Sequence, residues 1–381
     1  MTTKKIIGKI HLWLGLTSGL VVFILGISGC ILVFESELKD LFYKERYLIK
    51  DSPVTAQKRL PVHQLMHSAK QALNPEENIS GIGIYRQPQR TAAIYVYKYN
   101  AEGWNYFNTT VVNKTIYLNP YSGKIQYVEN SKSEFFRLMV MLHYDLLLEK
   151  TGKQIIGYAT LIFIVLLISG LVLWWPRSKA AAKQRFAFRW KDHTKWKRKN
   201  YDLHNILGFY TFLFALIVAL TGLVWAFSWF DNGLQWLANG GQATPVEKEY
   251  QSDSTAVKNA LVYDDILADM QRKSSDDLYS ISIPEQPGAA VYAYSQTEPE
   301  GYRWTSFYYD QQTGKNLSTV RFDDRMAGEQ LRSMNYYIHT GAILNLPGKI
   351  LAFIVSFICA GLPVTGFYIW MGRHKKGKKT S

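Results

Sequence analysis

Four apolar stretches, residues 10–34, 154–175, 203–227 and 349–371, dominate this sequence. Each is long enough to cross a bilayer as a helix, which takes about 20 residues. Trp13, Trp174, Trp175, Trp225 and Trp370 fall near their ends, where aromatic side chains settle at membrane interfaces. The remainder is polar enough to bring mean hydropathy to −0.11 although 48% of residues are hydrophobic. The expected class is an α-helical membrane protein with an α+β extracytoplasmic part. The expected segments are 1–34, 35–153, 154–175, 176–202, 203–227, 228–348, 349–371 and 372–381.

Charge orients the spans. The formal net charge is +14, but it is concentrated in residues 1–9, 176–200 and 372–381, which hold 18 basic residues and one acid, Asp192. These segments flank span ends, the positive-inside pattern. Both termini and the 176–202 loop are therefore expected in the cytoplasm of a bacterial inner membrane, with 35–153 and 228–348 in the periplasm. Basic charge so placed meets membrane lipid, and nucleic acid is not expected as a partner.

Several chemistries lack their motifs. The sequence has no C-x-x-C-H for covalent haem, no P-loop, no dinucleotide glycine fingerprint and no iron–sulfur cysteine run. Cys30 and Cys359 both fall inside spans and read as packing residues. Ile27-Ser28-Gly29-Cys30 resembles a lipoprotein cleavage site, yet the apolar run continues to Phe34. The first span is expected to be retained.

The second half of the chain repeats the first. "HLWLG" at His11 aligns with "HNILG" at His204, and Ser28-Gly29 then lies as far from His11 as Thr221-Gly222 from His204. His143 aligns with His339 without a gap through Gly152-Lys153 and Gly348-Lys349, Ser169-Gly170 and Thr365-Gly366, Trp174 and Trp370, Arg177 and Arg373. The outer segments repeat more loosely. Residues 61–73 and 255–273 read as helices, "TAAIYVYKY", "AAVYAYSQ", "TVVNKTIYL" and "YRWTSFYYD" as strands. "NPYSGK" and "DQQTGK" read as hairpin turns whose glycine takes a positive φ. The expected unit is span, small α+β module, periplasmic helix and span, occurring twice. Two parallel copies are related by an axis along the membrane normal, so equivalent residues share a depth.

That symmetry pairs four histidines. His11 and His204 fall at the cytoplasmic ends of spans one and three; His143 and His339 fall just before spans two and four on the outer side. Facing imidazoles from different helices suit bis-histidine ligation of haem. Two layers would hold two non-covalent b-type haems. Pairing His11 with His143 would require crossing a core about 30 Å thick. Zinc with further ligands and proton relay remain open alternatives. Gly15, Gly19, Gly26 and Gly29 serve close helix packing or leave room for a flat macrocycle. Arg177, Arg373, Lys153 and Lys349 read as topology anchors, with haem propionates as alternative partners. His63 and His67 read as a solvated helix face, and His193 and His374 as headgroup-facing residues.

The stretches "IHLWLGLTSGLVVFILGISG", "LHYDLLLEKTGKQIIGYATLIFIVLLISGLVLWWPR" and "DLHNILGFYTFLFALIVALTGLVWAF", with both outer turns, resemble the PepSY-associated transmembrane-helix proteins, often called iron-regulated membrane proteins. The resemblance covers almost the whole chain. It implies four spans, PepSY-like modules outside and, for its siderophore-handling branch, a di-haem ferric-siderophore reductase. It also implies haem-iron ligation by His11, His143, His204 and His339. Longer relatives carry a cytoplasmic flavin reductase domain. The sequence here ends at Ser381, so the expected electron donor is a quinol or a separate cytoplasmic reductase, and the acceptor a ferric siderophore or other ferric chelate. The rival readings are a non-enzymatic PepSY binding or regulatory protein and a transporter.

Overall fold

The computed structural model describes residues 2–49, 58–176, 178–246, 248–298 and 300–377. The helices used below are α1 (Thr3–Leu32), α2 (Val62–Lys70), α3 (Phe135–Asp145), α4 (Glu149–Trp174), α5 (Trp196–Ala226), α6 (Val262–Lys273), α7 (Ala327–His339) and α8 (Asn345–Gly377). The strands are β1 (Ile79–Tyr85), β2 (Ala92–Tyr99), β3 (Thr110–Leu118), β4 (Ile125–Glu129), β5 (Leu278–Ser282), β6 (Val291–Gln296), β7 (Thr305–Tyr309) and β8 (Asn316–Val320). The chain forms two compact units. One comprises residues 1–34, 139–231 and 335–381; the other comprises residues 35–138 and 232–334.

The first unit is a helical bundle. Thr3–Leu32, Glu149–Trp174, Trp196–Ala226 and Ala342–Gly372 are long and apolar enough to cross a membrane. A helix satisfies its own backbone groups, which is why such runs fold this way in lipid. Small residues set how closely the helices approach. A Cβ added at Gly26 on α1 would lie 2.8 Å from the Cβ and backbone nitrogen of Ala360 on α8. Leu167, Ala215, Val355 and Cys359 form a buried cluster joining α4, α5 and α8.

Glycine also explains the repeated Gly-Lys pairs. A Cβ at Gly152 would fall on the Asp145 carbonyl oxygen, and one at Gly348 on the Gly341 carbonyl oxygen. The chain doubles back there from a histidine-bearing helix into a span. Leu146, Leu147 and Glu149 take left-handed backbone conformations in the first of these turns and Asn345 in the second, an arrangement disfavoured for side chains with a Cβ. Residues 139–145 of α3, His143 among them, group with the bundle, and residues 135–138 with the sheet unit.

The second unit is one antiparallel sheet of eight strands, ordered β4-β3-β2-β1-β5-β6-β7-β8. Two small modules were expected; the structure merges residues 35–138 and 232–334 through the β1–β5 pair. Ile82 meets Ile281 there, and Gly83 meets Ser280. α2 and α6 cover the apolar sets of the two halves, and Tyr263 and Leu267 pack against both. The Asp264 carboxylate of α6 accepts the Val62 N–H at 2.6 Å and the His63 N–H at 3.3 Å. It thereby caps α2 from the other half.

The strand expectations match β2, β3, β6 and β7 within their ends, and both hairpin glycines have positive φ, 70° at Gly123 and 73° at Gly314. The helix expected over 255–273 begins only at Val262. Asp253 accepts the Thr255 N–H and Asn259 the Leu261 N–H, both at 2.9 Å. Such local side-chain bonds compete with helix formation.

Two outcomes test this packing. Gly26→Ala is expected to lower the thermal midpoint, because overpacking costs about 1–3 kcal/mol. Gly361→Ala, where nothing lies within 4 Å of the added atom, is expected to leave it unchanged or slightly higher; equal losses would contradict the close α1–α8 approach. In the sheet unit, Glu77 lies 2.6 Å from Lys114 and accepts the Asn74 N–H at 3.0 Å. Burial alone would raise its pKa, but Lys114 and Asn74 outweigh it and hold the carboxyl below its ordinary value. Such a group stabilises the fold above its unfolded pKa and stops doing so as pH falls through its folded one. Glu77→Gln should therefore lower the midpoint at pH 7 and converge on wild type in acid. A gap independent of pH would contradict this assignment.

Candidate functional site

Four histidines make the same hydrogen bond inside the bundle. His11 on α1 meets the Ser169 hydroxyl of α4; His143 on α3 meets Ser28 of α1. His204 on α5 meets Thr365 of α8, and His339 on α7 meets Thr221 of α5. Every one of these contacts runs from Nδ1 to the hydroxyl oxygen at 2.9 Å.

The direction of these bonds follows from the hydroxyl's own needs. Ser28 donates to the Ile24 carbonyl at 2.7 Å, Ser169 to Leu166 at 3.2 Å, Thr221 to Ile217 at 2.8 Å and Thr365 to Gly361 at 2.9 Å. A hydroxyl has one proton. With that proton committed to a helix carbonyl, the oxygen can only accept from the imidazole. Nδ1 therefore carries the hydrogen in all four rings, and Nε2 keeps a free lone pair. A metal-binding histidine is fixed in the same way by a partner on its other nitrogen. Burial pushes the His143 pKa down to about 4 and that of His339 to about 3, with His143 adding to the latter. Both are neutral at pH 7.

The four rings form two neighbouring pairs. The His11 and His204 ring centres are 6.5 Å apart with planes at 89°; those of His143 and His339 are 6.1 Å apart at 71°. Two imidazoles ligating one metal in line, each at about 2.0 Å, would place their ring centres about 6.3 Å apart. Among the described residues, no cluster of three or more His, Cys, Asp or Glu could hold a metal ion. A bare ion at either pair would find two nitrogens, whereas haem needs only those two from the protein.

Each bonding hydroxyl is followed by glycine, and each glycine borders a ring. A Cβ at Gly170 would lie 3.3 Å from His11 Cε1, at Gly29 3.5 Å from His143, at Gly366 3.3 Å from His204 and at Gly222 3.7 Å from His339. The Ser/Thr-Gly pairs that align the halves are thus the seats of the histidines.

Some contributing residues carry a signal the sequence reading missed. Asn200 and Asn335 stand four positions before His204 and His339. They are 4% and 3% exposed and donate to the Thr365 and Thr221 carbonyls at 3.0 and 3.1 Å. The corresponding first-half positions are Ile7 and Met139, so the support is one-sided. His204 also lies in a π-helical turn, Leu203–Leu207, a local widening often found at functional sites. Trp225 stands edge-on 5.2 Å from the His339 ring.

The remaining candidates lie elsewhere. The His63 ring bonds Asp264 at 2.9 Å, and His67 is exposed. Lys153 lies 5.4 Å from the Tyr144 ring centre. Arg177 and the side chains of Arg373 and His374 are outside the described residues. Comparison with curated proteins returns no match. Residues 9–373 match the family described as the PepSY-associated TM region, and the chain, a multi-pass membrane protein by its helices, belongs to that family.

Proposed function

We propose that the bundle binds two b-type haems, one between His11 and His204 and one between His143 and His339. The protein would then be an inner-membrane electron-transfer protein that reduces a periplasmic ferric chelate of the siderophore class. The observation that carries this reading is the fourfold commitment of Nδ1 to a hydroxyl, which leaves four Nε2 lone pairs on two pairs of neighbouring rings. Bound haem supplies one-electron chemistry in an apolar bundle. The Nε2 atoms of His11 and His204, and of His143 and His339, would hold the two groups, whose role would be to relay electrons rather than to bind substrate. The hydroxyls fix each tautomer and ring orientation, and the glycines beside them keep Cβ atoms away from the rings. Reduction to the ferrous state loosens iron from oxygen-rich ligands suited to the harder ferric ion.

An internal duplication accounts for this arrangement. The gap-free alignment of the histidine-to-glycine segments, the strand order symmetric about β1–β5 and the repeated histidine–hydroxyl bond support it. Positive charge beside the span ends supports cytoplasmic termini. The donor is a quinol or a separate cytoplasmic reductase.

Absorption spectra of the purified full-length protein test this reading. Dithionite reduction is expected to produce b-type haem bands, with His11→Ala and His143→Ala each losing about half of the haem. Protein without haem, or both variants retaining it fully, would refute the assignment.

A further inference from the structure

The segment "RFAFRWK", residues 185–191, lies between the second and third spans and is fastened to both. The Arg185 guanidinium donates to the Leu173 and Trp174 carbonyls at the end of α4. The Tyr210 hydroxyl of α5 donates to the Phe186 carbonyl at 2.7 Å, and the Trp190 indole N–H to the Asp202 carboxylate at 3.1 Å. The Phe186 ring stands edge-on to Trp174 and Phe209, with ring centres 4.9 and 5.4 Å away. Tyr210 is 55% exposed on a span, and in a membrane that surface faces lipid. These ties hold the segment against the flank of the bundle, level with the span ends.

Its outward side chains are aromatic and basic. Phe186, Phe188 and Trp190 keep exposed surface, and Trp196 is 65% exposed. The Phe188 and Trp190 ring centres are 4.8 Å apart, with exposed Arg189 between them in sequence. Aromatic rings settle at the boundary between acyl chains and head groups. The protein does not neutralise the accompanying charge. Lys183, Arg189, Lys191 and Lys195 are exposed, and none meets a carboxylate among the described residues. Asp202 is already taken by Trp190 and by Arg198 at 2.9 Å. Unpaired cations held beside lipid, at the depth of the span ends, call for an anion from the membrane itself.

We infer that this segment binds the phosphate head group of an anionic phospholipid in the adjoining leaflet. Arg189 and Lys191 donate to the phosphate oxygens, and Lys183 and Lys195 add attraction from either side. Phe188 and Trp196 rest against the first acyl carbons. A zwitterionic lipid brings its own ammonium beside the phosphate and gains less from unpaired cations. The site adjoins the inner histidine pair, since Asp202 stands two residues before His204, but it does not rest on the haem assignment.

Native mass spectrometry of the purified full-length protein tests the inference, by titration with phosphatidylglycerol and, separately, with phosphatidylcholine. Wild type is expected to bind phosphatidylglycerol saturably and more tightly than phosphatidylcholine. Arg189→Gln/Lys191→Gln is expected to bind phosphatidylglycerol roughly tenfold more weakly, at about 1 kcal/mol for each basic residue near an anionic surface. Phe188→Ser, which leaves the charge unchanged, is expected to weaken both lipids alike. Lys150→Gln, at the opposite end of α4, is expected to bind as wild type does, and circular dichroism confirms that each variant is folded. Equal affinity of wild type for the two lipids, an unchanged affinity in the double variant, an equal loss in Lys150→Gln, or displacement of the lipid by equimolar inorganic phosphate would overturn it.

Discussion

The hydrogen bond from a histidine Nδ1 to a serine or threonine hydroxyl is the interaction around which the bundle is arranged. It joins α1 to α4, α3 to α1, α5 to α8 and α7 to α5. A buried polar pair is stable only if each partner is satisfied, and here each hydroxyl uses both roles, accepting from the ring and donating to its own helix. The ring is held in one tautomer and one orientation. Other features follow from that requirement. Glycine after the hydroxyl leaves the ring its room, most tightly beside His11 and His204, where an added Cβ would come within 3.3 Å. The turns at Gly152 and Gly348 must be tight because the histidine helices return directly into spans.

The two halves meet this requirement with different support. In the second half, Asn200 and Asn335 hold the carbonyls of the same threonines whose hydroxyls seat the histidines, and His204 lies in a π-turn. In the first half, Ile7 and Met139 provide no such bond. Matched histidine positions with unmatched surroundings give the two pairs different polarity, and such surroundings would tune the potential of a haem bound as proposed.

Much of the bundle was legible in the sequence because its signals are local or strictly periodic. Span length, charge at span ends and the spacing from histidine to Ser/Thr-Gly need no knowledge of packing. Both hairpin turns were readable for the same reason, since Asn119, Gly123, Asp310 and Gly314 act within six residues. The joining of the outer segments was not readable. β1 and β5 are short, and Ile82 and Ile281 are separated by about 200 residues, so neither strand announces its partner. The late start of α6 was hidden because Asp253 and Asn259 act through side-chain bonds that a periodic pattern does not record. The two asparagines were visible as a repeated Asn-x-x-x-His, but their role depends on which threonine carbonyl lies across from each.

Electron paramagnetic resonance of the oxidised, purified protein tests the four-histidine arrangement most directly, because the signal reports both axial ligands of each ferric haem. Low-spin signals accounting for two haems per chain are expected, since each iron would have an imidazole on either side. A high-spin signal, with one axial position open, or protein containing no haem iron, would contradict it.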